Sequence, residues 1–159
     1  MKMLEIITTE TNEELLRSES RELTKDEITS KEIQEFIENL IHTAENAKLQ
    51  AGWESAGIAA VQVGRPIQLF LAKDLIHNFF KVYINPEIEY LGSSKDIQLE
   101  GCLSIPLITG KVERFKKVRV RYTDRYGNPQ VEKFDGFNAR IIQHEYDHIH
   151  GVLFTDKLV

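Results

Sequence analysis

The sequence has a single cysteine, Cys102, and therefore cannot form a disulfide within the chain. It does not need one, because a chain of 159 residues, 42% of them hydrophobic, can bury roughly two thirds of its unfolded surface. A lone thiol is typical of a reducing compartment, or of a cysteine that is retained for its chemistry. Cys102 is therefore a candidate functional residue.

Long hydrophobic runs are also missing. None approaches the roughly 18 residues that a membrane span needs, and residues 1–10 are too polar for a signal peptide. The net charge of −5 argues against a protein whose main task is to coat nucleic acid. We therefore expect a cytoplasmic protein that binds neither DNA nor a membrane. A processed organellar chain would show the same sequence features.

Prolines and glycines are few, and the sequence contains no internal repeat. The four prolines and nine glycines are spread too thinly to mark a linker between domains. We predict a single domain over residues 1–159, acting as a monomer.

One long helix is predicted in the first third of the chain. The segment from Thr29 to Glu32 has the spacing of a capping box, and the apolar residues that follow recur at offsets of three and four. They are Ile33, Phe36, Ile37, Leu40, Ile41, Ala44 and Ala47. The stripe that they form needs a sheet or another helix to pack on.

The middle of the chain reads as strands. Residues 67–72, 82–84 and 88–91 are short runs rich in branched and aromatic side chains, separated by Asn85-Pro86 and by Gly92. Residues 117–123 alternate strictly, and a turn at residues 126–129 leads to residues 131–134, which predicts an antiparallel hairpin with one solvated face.

The last predicted element is a helix from near Asn138 to Gly151, with apolar residues on more than one side. We expect this helix to be buried. The predicted fold class is α+β, with antiparallel β-sheets packed around the buried C-terminal helix and a long N-terminal helix.

The C-terminal helix carries the H-E-x-x-H pattern in residues 144–148. Because four residues advance a helix by about 400°, His144 and His148 share one face and can both bind one metal ion. Glu145 lies about 60° to the side of His148, where it can act as a general base without being a ligand. The alternative is that both histidines are ordinary core or surface residues.

A catalytic four-coordinate metal takes three protein ligands and keeps one open position. Cys102 is the strongest candidate for the third ligand, because a metal deprotonates a thiol and Gly101 permits another chain to come close. The alternatives are a buried inert cysteine and a nucleophilic cysteine paired with a histidine, which would leave the place of Glu145 unexplained. We expect His150 to point away from the site and Asp147 to be a supporting carboxylate.

Residues 55–64 pack small side chains around one amide, that of Gln62. Small side chains let a peptide backbone come close, and the Gln62 amide can donate a hydrogen bond to a developing oxyanion. Taken alone, the segment also fits a helix–sheet contact made by Ala59, Ala60 and Val61.

Three segments of the sequence, in this order, resemble the three signatures of the peptide deformylase family. Residues 57–62 resemble G-x-G-Φ-A-A-x-Q, in which Φ is apolar, residues 100–104 resemble E-G-C-L-S, and residues 143–148 resemble Q-H-E-x-D-H. The similarity covers roughly residues 55–156. It implies a metal-dependent hydrolase that removes the N-formyl group from the initiator methionine of newly synthesised polypeptides and releases formate.

The resemblance also implies a role for particular residues. The metal ligands would be Cys102, His144 and His148, with Glu145 as the base and then the proton donor. Gln62 and the backbone N–H of Leu103 would stabilise the oxyanion. Formylmethionyl peptides and nascent chains would pair as an added strand with Ala56, Gly57 and Gly101, and Phe137 and Ile141 would line the methionine pocket. The family's metal is Fe²⁺, with Zn²⁺, Ni²⁺ or Co²⁺ as replacements.

The sequence departs from the family pattern at two positions that bear on the substrate. Ser55 stands in place of the usual first glycine, and Thr109 stands where many members carry an arginine. Neither departure removes a predicted ligand, the base or an oxyanion donor.

Three other hypotheses stay open. The chain could be a metal-dependent peptidase or amidase, or a noncatalytic metal-binding or peptide-binding module, although Glu145 argues against the latter. The basic residues between 114 and 125 could make a weak contact with ribosomal RNA, or could be an ordinary solvated strand face.

Overall fold

A computed structural model of the protein describes residues 1–49 and 52–159. These residues form four α-helices: α1 (Thr9–Leu16), α2 (Lys25–Ile28), α3 (Lys31–Asn46) and α4 (Gly136–Ile149). They also form seven strands: β1 (Gly57–Ala59), β2 (Leu69–Asp74), β3 (Phe79–Tyr90), β4 (Lys95–Cys102), β5 (Ile105–Phe115), β6 (Lys117–Thr123) and β7 (Pro129–Asp135). Within the described ranges, no helix is long and apolar enough to cross a membrane.

The strands form two antiparallel sheets. The larger sheet has the order β1-β2-β3-β6-β7, and the smaller one contains β4 and β5. Helix α3 packs on one face of the larger sheet, against Leu69, Leu71 and Val82. Helix α4 packs on the other face, against Phe70, Tyr83 and the valines of β6. The predicted α+β class, with a long early helix and a buried C-terminal helix, is confirmed.

The smaller sheet lies against the opposite side of α4. This sheet contributes few apolar side chains to the core. Among them, Cys102 and Val112 pack with Leu153 and Phe154 near the C-terminus. Helix α4 is therefore held between the two sheets, which explains why ten of its residues are buried.

Helix α3 begins one residue later than the capping-box pattern predicts. Its N-cap is Ser30, whose hydroxyl accepts a hydrogen bond from the Ile33 N–H at 3.3 Å. Thr29 cannot serve as the N-cap, because it already ends α2 as that helix's C-cap. The predicted apolar stripe is correct, and its central residues are buried against the larger sheet.

Strand β3 runs through Asn85-Pro86, where the sequence predicted a break. The pairing with β6 shifts between Ile84 and Glu87, so β3 carries one extra residue there. A bulge of this kind tolerates a proline, which has no N–H to give to the ladder. The Asn85 side chain fixes the bulge through hydrogen bonds of 2.9 Å to the backbone N–H and C=O of Leu23. The two predicted runs are therefore one strand.

Helix α4 begins at Gly136, two residues before the predicted cap at Asn138. Strand β7 extends to Asp135, so no loop is left in which Asn138 could act as an N-cap. The hairpin of β6 and β7 agrees with the prediction, and Gly151 ends α4 in the left-handed region at a φ of +72°.

Gly151 supplies a prediction about stability. A Cβ at this position would lie 2.3 Å from the carbonyl oxygen of Arg17, which belongs to rigid backbone. Gly92 has nearly the same φ, +74°, but a Cβ there would meet nothing within 4 Å. Both Gly151→Ala and Gly92→Ala should lose about 1–2 kcal/mol to left-handed strain, and Gly151→Ala should lose at least about 1 kcal/mol more to overpacking.

Urea unfolding of both variants checks this expectation. Equal losses at the two positions would show that the contact with Arg17 relaxes without cost.

Candidate active site

One side chain of β4 and two side chains of α4 meet where β4 ends beside α4. Cys102 is the last residue of β4, and His144 and His148 stand one turn apart on α4. Their ligand atoms all lie within 4.8 Å of one another, and Cys102 Sγ is 3.4 Å from His148 Nε2. One thiol and two imidazoles at this separation form a suitable donor set for one divalent transition-metal ion.

Glu100 holds His144 in one orientation. Its Oε1 lies 2.9 Å from His144 Nδ1, so the carboxylate holds a proton on Nδ1, and Nε2 is the ring nitrogen that would bind a metal after losing its own proton. Burial lowers the pKa of His144, but the neighbouring Cys102 and Glu100 outweigh burial and raise the pKa well above its usual range. Burial and the charge on His144 both lower the pKa of His148.

Two buried arginines donate hydrogen bonds to the Glu100 carboxylate. Arg114 of β5 donates from Nε and Nη2 at 2.6 and 2.9 Å, and Arg140 of α4 donates from Nη1 at 2.6 Å. Arg114 also donates to Asp147 at 2.9 Å. Asp147 is therefore the supporting carboxylate that the sequence predicted, and it also contacts Lys157 at 3.0 Å.

The basic run considered for RNA contact is partly engaged within the protein. Arg114 is 3% exposed and so cannot contribute to an RNA-binding surface. Arg119 pairs with Glu89, and Arg125 lies 3.6 Å from Glu38. A ribosome contact by the remaining basic residues stays a prediction.

Glu145 is buried at 4% exposure, beside the three-residue cluster. Burial raises its pKa to about 7. Its Oε1 finds no hydrogen-bond partner within residues 1–49 and 52–159, whereas its Oε2 lies so close to Gly57 that a Cβ there would be 2.7 Å away. A buried carboxyl with a free oxygen and a pKa near neutrality can both accept and donate a proton.

The Gln62 side chain is fixed in place next to Cys102. Its Oε1 accepts a hydrogen bond from the Ala59 N–H at 2.8 Å, and its Nε2 lies 3.0 Å from Ser104 Oγ and 3.6 Å from Cys102 Sγ. Leu103 follows Cys102 in the short turn between β4 and β5. Gln62 and Leu103 both line the cavity beside the cluster.

A cavity of about 230 Å³ opens onto these groups. Its wall contains Cys102, His144, Glu145, Gln62 and Leu103, together with all five residues predicted to bind substrate: Ala56, Gly57, Gly101, Phe137 and Ile141. His148 is 1% exposed and lies behind this wall. A larger groove of about 750 Å³ between α3 and the β6–β7 hairpin contains none of the predicted site residues.

Three further residues considered in the sequence analysis can be located in the structure. His150 points away from the cluster, as predicted, and its Nδ1 contacts Glu19 at the surface. Ser55 is buried, and its hydroxyl donates to the Gly57 carbonyl at 2.9 Å. Thr109 pairs with Gly101 across the β4–β5 ladder.

Sequence reasoning gave no supporting role to Glu100, Arg114, Ser104 or Arg140, all of which are buried at the site. Ser104 holds the Gln62 amide, and Arg140 binds Glu100. Ser104 belongs to a recognised motif, but its partner is 42 residues away. Arg140 lies one helical turn before His144, and this spacing is the signal that could have identified it.

Comparison with known proteins shows the family to which the chain belongs. The family model described as polypeptide deformylase matches residues 3–159. A peptide deformylase of Pseudothermotoga lettingae is 38% identical over 145 residues, which cover 91% of this chain and 77% of that protein. The chain belongs to the peptide deformylase family.

Solved peptide deformylases share its fold. The crystal structure of the Thermotoga maritima peptide deformylase matches with a TM-score of 0.86 and 31% identity, over 99% of this chain and 98% of that one. A class I type b peptide deformylase from Acinetobacter baumannii, crystallised with Met-Ala-Ser bound, matches with a TM-score of 0.86 and 27% identity, over 98% of each chain. Members of the family are enzymes, and this chain is one of them.

The charge balance at Glu100 supplies a second prediction. Glu100→Gln removes the carboxylate on which Arg114, Arg140 and His144 converge, and leaves buried positive charge without a counter-ion. We expect the variant to lose about 3–5 kcal/mol of unfolding free energy. The matched control is Glu89→Gln, which breaks an exposed pair with Arg119 and should lose less than about 1 kcal/mol.

Urea unfolding in the presence of a chelator measures both variants without any contribution from metal. Equal losses in the two variants would contradict the importance of Glu100.

Proposed function

We propose that the protein removes the N-formyl group from the initiator methionine of newly synthesised polypeptides, releases formate, and acts as one catalytic domain over residues 1–159. One observation carries the proposal. The buried Glu145 carboxyl lines the same cavity as the Cys102 and His144 side chains, next to the fixed Gln62 amide. Family membership supports the same reaction.

We propose Cys102, His144 and His148 as the ligands of one divalent ion. A thiolate with two neutral imidazoles suits several ions and does not choose between them. From the family resemblance we expect Fe²⁺ natively, with Zn²⁺, Ni²⁺ or Co²⁺ as replacements. When bound, such an ion polarises a carbonyl and activates water near neutral pH.

In the proposed mechanism, Glu145 takes a proton from the attacking water, because its buried carboxyl lines the same cavity and its Oε1 has no hydrogen-bond partner among the described residues. The formyl oxygen gains negative charge, which the Gln62 amide and the backbone N–H of Leu103 stabilise. Glu145 then gives the proton to the departing amine as the C–N bond breaks. Formate and a free methionine amino group are the products.

The proposed substrate path follows two strand ends. Strand β1 is an edge strand of the larger sheet, and β4 ends on the same cavity. An extended peptide could pair with Ala56, Gly57 and Gly101 through its main chain, a mode that tolerates varied sequences. Phe137 and Ile141 would contact the methionine side chain. The Met-Ala-Ser complex of the A. baumannii relative supports this class of ligand.

A formate-release assay tests the proposal. After anaerobic reconstitution with Fe²⁺, the protein should release formate from formyl-Met-Ala-Ser and leave acetyl-Met-Ala-Ser and unblocked Met-Ala-Ser intact. Cleavage of internal peptide bonds would instead favour a metal-dependent peptidase.

Glu145→Gln tests the base in the same assay. It keeps the size of the side chain and should retain bound metal, while turnover falls by about 10²–10⁴-fold. Unchanged turnover with normal metal content would reject the mechanism.

Gly57→Ala tests how closely Glu145 is positioned. The added Cβ would lie 2.7 Å from Glu145 Oε2 and 2.8 Å from the Leu71 carbonyl, so the carboxyl must move. We expect kcat to fall by about 10²-fold at unchanged metal content. In the comparison variant Gly101→Ala, the new methyl meets Thr109 at an ordinary 3.5 Å, so the larger change should be in KM. Equal kcat in the two variants would argue against a positioning effect on Glu145.

A further inference from the structure

Helix α4 is attached to its two sheets by different forces. Its contact with the larger sheet is apolar, through Ala139, Ile142 and Ile149. Its contact with β4 and β5 is polar, through Arg140, Gln143, His144 and Asp147. Charge-assisted hydrogen bonds are directional and add geometric specificity to this contact. The polar contacts are therefore suited to fix Cys102 relative to the two histidines.

Arg140 makes the most hydrogen bonds of these four residues to the smaller sheet. It is 3% exposed, and its Nη1 donates to Glu100 Oε2 at 2.6 Å and to the Val112 carbonyl at 2.9 Å. Its Nη2 donates to Asp96 Oδ1 at 2.8 Å and to the Asp96 carbonyl at 3.0 Å. One guanidinium thus joins α4 to both strands of the smaller sheet.

The contacts of α4 with β4 form a series along both elements. Arg140, His144 and His148 follow one another at single turns of α4, and they meet Asp96, Glu100 and Cys102 respectively on β4. Arg114 and Gln143 connect α4 to β5 instead. Arg140 is therefore placed to hold the strand that ends in the thiol.

We propose that Arg140 is a positioning residue for the metal site, which fixes β4 against α4 and so sets the separation between the Cys102 sulfur and the two imidazoles. This inference rests on the proposed role of Cys102, His144 and His148 as metal ligands. Arg140 also borders the substrate cavity, but in this role it acts through its hydrogen bonds to Asp96 and Glu100. It acts by preorganising ligands that come from two different elements.

Arg140→Met is the informative variant, because Glu100 keeps its paired hydrogen bonds from Arg114 and is not left as an isolated buried charge. We expect its affinity for Co²⁺, measured by titration of the full-length protein, to fall by about 10–100-fold. The thiolate-to-Co²⁺ and ligand-field absorption bands should also shift, because they report coordination geometry. Arg140→Lys retains charge but cannot bridge Glu100 and Asp96, and should give an intermediate affinity.

A double-mutant cycle tests the link to β4. Asp96→Asn should weaken Co²⁺ binding in the wild-type background and should have little further effect in Arg140→Met. The control is Arg21→Met, which breaks an exposed pair with Glu27 and should leave both affinity and absorption unchanged.

Two outcomes separate this inference from the proposed function. If Arg140→Met unfolds at lower urea concentration but binds Co²⁺ with wild-type affinity and absorption, Arg140 is only structural and the inference is wrong. If the wild-type protein itself shows no thiolate-to-Co²⁺ band, the proposed ligand set is wrong, and the proposed function fails with it.

Discussion

The buried Glu100 carboxylate is the interaction on which the rest of the site depends. It accepts hydrogen bonds from Arg114, Arg140 and His144, which come from β5 and from α4. Removing such charges from water is costly, and the cost is recovered only when every group has a partner. Few relative positions of β4, β5 and α4 satisfy all of these groups at once. The network therefore specifies the geometry of the site more than it adds to stability.

The same principle explains how one helix serves two purposes. The apolar side of α4 secures it to the larger sheet, and the opposite side is free to carry polar groups because the smaller sheet supplies matching ones. Glu145 lies between these sides, close to Gly57 of β1. The absence of a side chain at Gly57 lets strand and carboxyl approach each other, so the larger sheet determines where Glu145 can lie.

The sequence predicts those parts of the structure that local patterns encode. The stripe of α3, the H-E-x-x-H spacing in α4 and the alternation in β6 each follow from the periodicity of one element. Strand β4 escaped prediction because its inward positions, including Asp96 and Glu100, are polar and give no apolar alternation. Its partner Arg140 comes from a distant segment, and no local pattern indicates which buried charges will meet.

Two buried carboxyls of the site differ in their surroundings in a way that suits different tasks. Burial would raise the pKa of Glu100, but hydrogen bonds from His144 and Arg114 lower it well below its usual range, so this group stays charged. Glu145 has comparable burial but no such donors on Oε1 among the described residues, and its pKa rises to about 7. One carboxylate can therefore hold a histidine in a constant orientation while the other exchanges protons. Environments that separate the pKa values of neighbouring carboxyls in this way favour the proposed roles of Glu100 as a fixed anion and of Glu145 as the proton carrier.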